Sequence, residues 1–381
     1  MGERCRALEG LVMFAGAFAG KTAFITGHTG FKGAWLALWL ERLGARVVGY
    51  SLPPPTTPSL FQACGLAGRL EHIEADVRDR ERLRQAITRS RPDFIFHLAA
   101  HTLVRESYAN PLATYEVNLM GTLSLLEAVR GLSHPCAVVI ISTDKCYENR
   151  EWPYGYRETD ALGGHDPYSA SKAAMEIAVA SYRRAYFPPS PSDAHGVGLA
   201  TARAGNVIGG GDWAKDRLVP DAMRALSQGE PLILRNPAAV RPWQHVLEPL
   251  SGYLWLAARL AAAGAAFASG WNFGPPVTDT YTVAELADAL VKAWGAGDWQ
   301  ASEIANAPHE AGRLLLAIDK ARSQLGWQPV WDFHSAVERA VAWYRAFYAE
   351  PADDRMACDL CLADLDNYER AAAAKGLRWT V

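Results

Sequence analysis

Two residues near the middle of the sequence have the types and spacing needed for acid–base chemistry. Tyr168 and Lys172 are four residues apart, so on a helix they lie on one face. An ammonium beside a phenol stabilises the phenolate and lowers the pKa of the tyrosine, which predicts that Tyr168 takes a proton from a hydroxyl group. The alternative is a tyrosine and a lysine on the solvent-facing side of an amphipathic helix.

Three glycines near the N-terminus have the spacing of an anion-binding loop. Gly27, Gly30 and Gly33 follow a predicted strand and open a predicted helix. Glycine permits a tight turn and a close approach of the backbone, and the helix N-terminus presents N–H groups and a positive dipole end to a pyrophosphate. Taken alone, the same spacing also fits an ordinary turn between a strand and a helix.

Arginines in the second half of the chain are candidates for holding an anionic ligand. The chain has 38 Lys and Arg against 41 Asp and Glu, a formal net charge of -3, which favours neither nucleic acid nor an anionic membrane as a partner. An anionic ligand therefore needs a local cluster of cations. The planar guanidinium suits a diphosphate, although a single arginine is more often in a surface salt bridge. The candidates in or beside Gly- and Pro-rich loops are Arg203, Arg217, Arg235 and Arg241.

The elements that must position these residues alternate along the first half of the chain. Short β-rich runs are separated by helical stretches, as in a doubly wound parallel sheet, so we predict an α/β, Rossmann-like fold. The predicted strands are 22–26, 45–50, 93–99, 137–143 and 198–205. In the helical run 33–44, large apolar residues lie on one stripe that should face the sheet, and 52–58 reads as a surface loop.

Beyond residue 209 the pattern changes to loops rich in Gly and Pro. It contains a strand-like run at 231–235 and helical patterns near 246–263, 282–294 and 334–349. This predicts a smaller C-terminal substrate-binding lobe that completes a site begun in the first lobe. The predicted divisions are an N-terminal extension 1–20, a dinucleotide-binding domain 21–207 to which later segments return, a lobe 208–350 and a C-terminal tail or helix 351–381.

The cysteines and the N-terminus bear on the cellular compartment. The six cysteines are scattered, which is typical of a reduced cytoplasmic protein. Cys358 and Cys361 form a C-x-x-C pair that lacks further zinc ligands nearby, so we expect ordinary helix residues and no metal. Residues 1–20 resemble a short secretory signal, but a dinucleotide-binding loop follows at once, so we favour an extension, with Met13 as an alternative start. No other apolar run is long enough to span a membrane.

Further motifs appear in the order found in the extended short-chain dehydrogenase/reductases. They are the two-residue spacing between glycines, EADVRD around Asp76, HLAA at 97–100, VNLMGT around Asn118, STD at 142–144 and YSASK at 168–172. The chain therefore resembles this NAD-dependent family, which implies NAD as the cofactor. The resemblance assigns cofactor contacts to Gly27, Thr29, Gly30, Phe31, Lys32, Gly33, Asp76, Val77, Leu98, Ala99, Ala100, Asn118, Tyr168 and Lys172.

A narrower resemblance rests on Thr143, Asp144 and Lys145. In sugar-nucleotide 4,6-dehydratases this strand end carries Thr-Asp-Glu, whose Asp and Glu act as acid and base in eliminating water across carbons 5 and 6. Here the third residue is lysine, as in the CDP-glucose 4,6-dehydratases, which resemble about residues 17–345. A desolvated ammonium beside another cation can lose its proton near neutral pH. The alternative for Lys145 is a salt bridge to Asp144 or Glu148.

This resemblance implies a lyase that uses one NAD without net redox change. Tyr168, assisted by Lys172 and Thr143, would start oxidation at carbon 4 of CDP-glucose, with Lys145 as base and Asp144 as acid in the elimination. The expected substrate contacts are Arg105, Asn206, Arg217, Arg235, Arg241 and His245. The resemblance further implies a homodimer or homotetramer, through helices such as 111–130 and 167–186, and deoxysugar or O-antigen biosynthesis.

Two departures from the family pattern concern specificity. Relatives that prefer NAD commonly have an acidic residue after the second strand, where this chain has Gly49-Tyr50-Ser51. His101-Thr102 stands where Gln-Pro is expected, close to the cleft. The rival hypotheses are a dehydratase, epimerase or reductase of another sugar nucleotide, and a non-catalytic nicotinamide-sensing protein.

Overall fold

The computed structural model describes residues 12–188, 196–302, 311–349 and 356–381 of the 381-residue chain. The strands are β1 Thr22–Thr26, β2 Arg46–Ser51, β3 Glu71–Glu74, β4 Phe94–His97, β5 Cys136–Ile141, β6 Val197–Ala204, β7 Val207–Ile208, β8 Leu232–Leu234, β9 Val240–Arg241, β10 Gln244–His245, β11 Gly270–Phe273, β12 Tyr281–Thr282 and β13 Trp299–Ala301. The α-helices are α1 Phe31–Arg42, α2 Leu60–Ala63, α3 Arg80–Ser90, α4 Val104–Ala109, α5 Pro111–Tyr115, α6 Thr122–Arg130, α7 Pro167–Ala185, α8 Leu218–Ser227, α9 Leu247–Ala263, α10 Val283–Trp294, α11 Phe333–Ala349 and α12 Met356–Ala374.

A seven-stranded parallel sheet forms the centre of the molecule. Its strand order is β11-β6-β5-β4-β1-β2-β3. After β3 the chain crosses back to form β4 on the other side of β1, so the direction of strand addition reverses between β1 and β4. The central strands are almost wholly buried, since helices cover both faces. The predicted α/β, Rossmann-like fold is therefore confirmed. The carboxyl ends of β1, β4 and β5 meet at one edge, where a doubly wound sheet places its ligand site.

Two strands of this sheet were not predicted. β3 has the sequence EHIE, whose polar residues at a partly exposed sheet edge carry no apolar run to mark a strand. β11 comes from the segment beyond residue 208 and pairs with β6, with Gly270 beside Thr201 and Phe273 beside Ala204. The later part of the chain thus returns to complete the first sheet.

Helix α1 is buried on all sides rather than along the single predicted stripe. Every residue from Gly33 to Leu40 is buried. The face turned away from the sheet is covered by α12, where the Trp39 indole N–H donates to Glu369 at 2.8 Å and Arg42 forms an ion pair with the same carboxylate. The apolar periodicity of α1 alone could not indicate this second cover.

The segment before β1 packs into the same core. Phe14 is fully buried, and its ring stacks on that of Trp379 with centroids 5.0 Å apart. Phe18 packs against Phe94 of β4. The described part of the predicted extension, residues 12–20, therefore belongs to the folded unit, while residues 1–11 lie outside the described part of the chain.

The smaller lobe consists of short elements beside the cleft. β7 pairs with β10, β9 with β12, and β8 with β13, and helices α8, α10 and α11 pack around these pairs. A capping box between Thr282 and Glu285 starts α10. Among the helices of the described segments, none is both long and apolar enough to cross a bilayer.

Candidate active site

The glycine loop joins β1 to α1 at the carboxyl edge of the sheet. Gly27 has φ +76°, and a side chain there would meet the backbone of Ala99 at 2.7 Å. A Cβ on Gly33 would lie 2.2 Å from the carbonyl oxygen of Gly27. Gly30 is the N-cap of α1 and no side chain caps this helix end. The first turn therefore presents backbone N–H groups in a cradle shaped by absent side chains, which fits a dinucleotide pyrophosphate.

Thr29 links this loop to the end of β2. Its hydroxyl shares a 2.8 Å hydrogen bond with that of Ser51 and lies 2.9 Å from the carbonyl oxygen of Leu52. Beside it, His28 is hydrogen-bonded to His72 at 2.8 Å, and burial together with His72 lowers the pKa of His28 to about 3. The end of β2, where NAD-preferring relatives commonly have an acidic residue, is thus bordered by hydroxyl and imidazole side chains.

The other residues expected at the adenosine end occupy the neighbouring loops. The Asp76 carboxylate accepts hydrogen bonds from the backbone and guanidinium of Arg78, which together with the Arg78 charge lower its pKa. The backbone carbonyl of Asp76 accepts a hydrogen bond from Tyr50. Val77 packs against Gly121, where a Cβ would come within 2.8 Å of the valine. These contacts hold the loop after β3 against the helix that follows β4.

Asn118 connects the loop after β4 to helix α7. Its amide oxygen accepts from the backbone N–H of His101 at 2.8 Å, and its amide nitrogen donates to the His101 carbonyl and to the Ser171 hydroxyl. These bonds fix the Leu98–Ala100 segment beside the glycine loop. Asn118 was predicted as a cofactor contact, and the structure gives its side chain a positioning role.

Tyr168 and Lys172 lie on the same face of α7, as their spacing predicts, beside the end of β5. Burial raises the pKa of Tyr168 to about 12, while a hydrogen bond with Thr143 opposes that rise. The Lys172 ammonium donates to the carbonyl of Ile141 at 3.0 Å, and burial lowers the pKa of this lysine to about 8. The expected lowering of the Tyr168 pKa by Lys172 is therefore wrong for this structure, because the lysine is directed to a backbone carbonyl.

Asp144 and Lys145 form a short 3-10 turn after β5. The Thr143 hydroxyl caps the turn by accepting from the Lys145 backbone, and it donates to Oδ1 of Asp144 at 3.0 Å. Oδ2 of the buried Asp144 has no partner. The Lys145 ammonium lies 3.8 Å from Oδ1 of Asp144 and its side chain is 26% exposed. The alternative of a salt bridge to Asp144 is therefore observed. The carboxyl group of Asp144 and the amino group of Lys145 lie side by side, and the second carboxylate oxygen has no hydrogen-bond partner.

Lys32 of the glycine loop also reaches this centre. Its ammonium is 3.5 Å from the hydroxyl of Tyr253 on α9. Burial lowers the pKa of Lys32 to about 8, and the nearby charges of Arg217 and Lys172 act in the same direction. Tyr253 was not predicted as a site residue, since nothing in its helical pattern distinguishes it from the core.

The predicted substrate arginines converge near the mouth of the cleft, and carboxylates accompany them. Arg105 and Arg235 both face Asp216, with oxygen–nitrogen distances of 3.5 and 2.7 Å. Arg217 pairs with Asp212 at 2.8 Å and donates to Thr102, one of the two departures from the family pattern. Asp212, Asp216 and Thr102 were not predicted as site residues.

Two further candidates flank this group. Nη1 of Arg241 donates to its neighbour's carbonyl, that of Val240, at 2.9 Å. The side-chain oxygen of Asn206 is buried without a partner, as is the indole N–H of Trp243. Buried polar atoms without partners are costly unless a ligand satisfies them, so this part of the cleft fits a polar ligand.

Two other residues are buried. His245 is fully buried between the rings of Trp35 and Trp331, and burial lowers its pKa to about 3. A substrate contact by His245 stays a prediction: Trp35 and Trp331 enclose its ring, while its Nε2 is buried without a hydrogen-bond partner. Arg203, a candidate from the loop pattern, forms a buried ion pair with Glu176 at 2.9 Å.

The cysteine pair has a packing role. Cys358 and Cys361 are buried in α12, on the face toward Cys64, and the Arg69 guanidinium lies 2.6 Å from the Cys358 sulfur. The hydrogen bond with Cys64, followed by burial, raises the pKa of Cys358. Within the described ranges, no group of three or more His, Cys, Asp or Glu side chains has the arrangement of a metal site.

Comparisons with known proteins agree with this geometry. The family model described as GDP-mannose 4,6 dehydratase matches residues 24–340. The chain is 50% identical over 339 residues to the CDP-glucose 4,6-dehydratase of Salmonella typhimurium, covering 89% of this chain and 94% of that protein. It is similar in structure to DesIV, a dTDP-glucose 4,6-dehydratase of Streptomyces venezuelae with NAD bound, with a TM-score of 0.72, 26% identity and coverage of 85% and 97%. A UDP-glucose 4-epimerase of Thermotoga maritima has the same fold, with a TM-score of 0.71, 21% identity and coverage of 85% and 98%.

Proposed function

The chain belongs to the GDP-mannose 4,6 dehydratase family, and on that premise we propose that it is a lyase that converts CDP-D-glucose into CDP-4-dehydro-6-deoxy-D-glucose with NAD. The observation that carries this proposal is the Asp144–Lys145 turn beside Tyr168, in a chain half identical to a CDP-glucose 4,6-dehydratase. A plain epimerase has no use for an acid and a base at this strand end. The same pair argues against a non-catalytic sensor.

The cofactor would be held by the glycine loop, the end of β2, and the loops that follow β3 and β4. When bound, NAD supplies the hydride acceptor for carbon 4 and the hydride donor for carbon 6. Tyr168, as the phenolate, takes the proton of the carbon 4 hydroxyl and becomes a phenol, with the hydrogen bond to Thr143 holding the ring in place. The Lys172 ammonium, directed at Ile141, holds a positive charge under the reacting face.

The elimination uses the ion pair between Asp144 and Lys145. Transfer of one proton from the Lys145 ammonium to the Asp144 carboxylate leaves an amine and a carboxylic acid, which are the forms that the step requires. The amine removes the carbon 5 proton, and the acid protonates the carbon 6 hydroxyl, which departs as water. Lys145 is then an ammonium and Asp144 a carboxylate. As hydride would return to carbon 6, the Lys145 ammonium gives its proton to carbon 5, and the proton that Tyr168 took from the carbon 4 hydroxyl then restores the Lys145 ammonium, so every group regains its starting charge.

The nucleotide diphosphate is proposed to lie at the mouth of the cleft. Arg105, Arg217 and Arg235 converge there, and their charges compensate locally for the acidic net charge of the chain. Asn206 and Arg241 are proposed as further contacts: the unpartnered Asn206 oxygen would accept from a hydroxyl or amino group of the nucleotide sugar, and the Arg241 guanidinium would donate to a phosphate oxygen. A diphosphate would compete with Asp212 and Asp216 for these guanidinium groups.

The proposal is tested by incubating the purified chain and NAD with CDP-glucose, UDP-glucose, dTDP-glucose and GDP-mannose in parallel. Mass spectrometry follows the loss of one water from each nucleotide sugar. A loss confined to CDP-glucose supports both the reaction and the substrate. If another nucleotide sugar loses water instead, the base specificity is wrong. An altered sugar configuration, or consumption of reduced cofactor, without water loss rules out the dehydratase assignment.

We further propose a homodimer formed by the face that α5 and α7 present. Leu112 and Ile177 are 72% and 57% exposed there, and Met120 between α5 and α6 is 53% exposed. The helices α5 and α7 that carry two of these side chains pack against each other, and an exposed apolar patch is typical of an interface. Light scattering should give a dimer mass that Leu112→Glu reduces to a monomer, and a monomeric unmodified chain would contradict this. A tetramer would require a second interface.

A cytoplasmic location is proposed, because the reaction needs NAD and a nucleotide sugar from the cytoplasm. The product, a 4-dehydro-6-deoxy sugar nucleotide, suits deoxysugar biosynthesis, and O-antigen assembly is the proposed destination.

A further inference from the structure

A buried chain of hydrogen bonds lies behind the catalytic turn and is not used in the reaction steps above. Nη1 of Arg203 donates to the phenol oxygen of Tyr147 at 2.8 Å, and that phenol donates to Oδ1 of Asn272 at 2.7 Å. Arg203 also binds both carboxylate oxygens of Glu176, at 2.9 Å each. All four side chains are buried. A fully satisfied polar network in the interior fixes the elements that it joins.

The network joins the two segments proposed to carry the chemistry to each other and to the sheet edge. Tyr147 is the C-cap of the turn Asp144–Cys146 and follows Lys145 by two residues. Glu176 is on α7, one turn after Lys172 and two turns after Tyr168. Asn272 is on β11, and its amide nitrogen donates to the carbonyls of Tyr156 and Ala317. The phenol of Tyr147 therefore links the turn to α7 through Arg203 and Glu176, and to the sheet edge through Asn272.

We infer that Tyr147 is a positioning residue that holds the Asp144–Lys145 turn against α7, so that elimination follows oxidation without delay. This inference rests on the proposed dehydratase function. The two half-reactions use different segments, because Tyr168 is on α7 and the acid–base pair is on the turn. The turn is held at its start by Thr143, whose hydroxyl accepts from the backbone of Lys145, and at its end by the Cys146 carbonyl, which accepts from Gly163, and by the Tyr147 phenol. Loosening the turn therefore slows elimination more than oxidation.

Tyr147→Phe removes the phenol oxygen and keeps the ring, which stacks on Tyr156 with centroids 5.3 Å apart. Arg203 retains Glu176 and the carbonyl of Glu158, so the buried ion pair stays satisfied. We expect turnover of CDP-glucose to fall roughly tenfold, as a small misplacement of reacting groups does. In a single turnover, reduced nicotinamide should form at the unmodified rate and persist, because the elimination that precedes its reoxidation is delayed.

Tyr156→Phe is the matched control, since it removes a buried phenol from the same aromatic cluster. Within the described residues, the Tyr156 hydroxyl forms hydrogen bonds only with the backbone N–H of Arg150 and the side-chain oxygen of Asn149. Its loss should leave the lifetime of reduced nicotinamide unchanged. Equal slowing of both half-reactions by Tyr147→Phe, or equal effects of the two variants, would overturn the inference.

Amide hydrogen exchange without substrate separates this inference from the function on which it rests. In Tyr147→Phe the amides of residues 144–147 should exchange faster than in the unmodified chain and in Tyr156→Phe, while those of α7 stay unchanged. If the unmodified chain dehydrates no nucleotide sugar but this difference is seen, the function is wrong and the positioning contact stands. If the amides of residues 144–147 exchange at the same rate in Tyr147→Phe as in the unmodified chain, Tyr147 has no positioning role, whichever substrate the enzyme uses.

Discussion

At the scale of single residues, the pairing of Asp144 with Lys145 is the unusual feature of the site. A glutamate base would need only to be ionised, whereas a lysine base must first lose a proton. The Asp144 carboxylate lies 3.8 Å from the Lys145 ammonium, and its Oδ2 has no hydrogen-bond partner. The salt-bridge and catalytic interpretations of Lys145 are therefore compatible. In the proposed mechanism, the ion pair contains the proton that Asp144 gives to the leaving hydroxyl group.

Lys145→Ala should abolish dehydration while cofactor binding stays intact. Removing a general base costs roughly 10²–10⁴-fold in rate. Asp144 also loses its proton donor, which places the expected loss at the upper end. The measurement is water loss from CDP-glucose by mass spectrometry, with NAD affinity by calorimetry as the control. A variant with full turnover would refute the role of Lys145.

The activity should fall as the pH rises through about 8, because Lys172 then loses the proton that it donates to Ile141. Its pKa is lowered by burial, and Glu176 acts in the opposite direction. Glu176→Gln should therefore move the alkaline limb of the kcat/KM profile to lower pH. A profile that stays level from about pH 7 to about pH 10 would exclude this lysine as an essential group.

At the scale of elements, the glycine loop assigns its three glycines different tasks. Gly33 lets α1 pack onto the Gly27 carbonyl, and Gly27 lets the loop approach Ala99. Gly30 has only an ordinary contact, since a Cβ there would be 3.5 Å from the same carbonyl. The first two are required by the protein itself, whereas Gly30 faces the space that a pyrophosphate would take.

Gly33→Ala should destabilise the chain by about 1–3 kcal/mol, as overpacking of a tight site does. Gly30→Ala should change the free energy of unfolding by less than about 0.5 kcal/mol, yet weaken NAD binding. Urea denaturation and NAD titration of both variants make the comparison. Equal stability losses, or unchanged NAD affinity in Gly30→Ala, would contradict this division.

The sequence predicted those elements whose local pattern is strong. Helices α9 and α10 and strand β1 begin and end within one residue of the predicted bounds. Tyr168 and Lys172 on α7 lie beside the Thr143–Lys145 segment at the carboxyl edge of the sheet, as their order in the sequence predicts, and their catalytic roles stay a prediction. β3 lacked an apolar run, and the return of β11 depends on contacts far apart in sequence. Pattern alone contains neither signal.

The same limit explains the residues whose surroundings prediction missed. His245 sits in a motif full of site residues, and only the packing of Trp35 and Trp331 shows that its ring faces the core. Glu176 did carry a signal, since it continues the four-residue spacing of Tyr168 and Lys172 on α7. The partners of the arginines depend on loop conformation, which composition does not specify.

At the scale of the whole molecule, the first and the last described segments meet over α1. Trp379 is fully buried, stacked on Phe14 from one end of the described chain and packed against Trp39 of α1. The C-terminal helix and the residues after it therefore cover the dinucleotide-binding lobe. We therefore expect the C-terminal segment to unfold together with this lobe.

Trp379→Ala should destabilise the protein by about 3–5 kcal/mol, the usual cost of truncating a buried aromatic residue. Val381→Ala, two residues later and 77% exposed, is the control and should have little effect. Urea denaturation followed by circular dichroism measures both. A loss below about 1 kcal/mol for Trp379→Ala would show that the C-terminal segment is not part of the core.

The pairing of β11 with β6 has a consequence for how this protein is made. A ribosome releases β6 well before Gly270–Phe273 has been synthesised, so the nascent sheet has an open edge in the meantime. At about 5–20 residues per second, that edge stays unpaired for seconds. Such an edge is a template for pairing with other chains, so newly synthesised chains are most prone to aggregation in this interval. Codons that slow translation between Ala204 and Gly270 should lower the soluble yield.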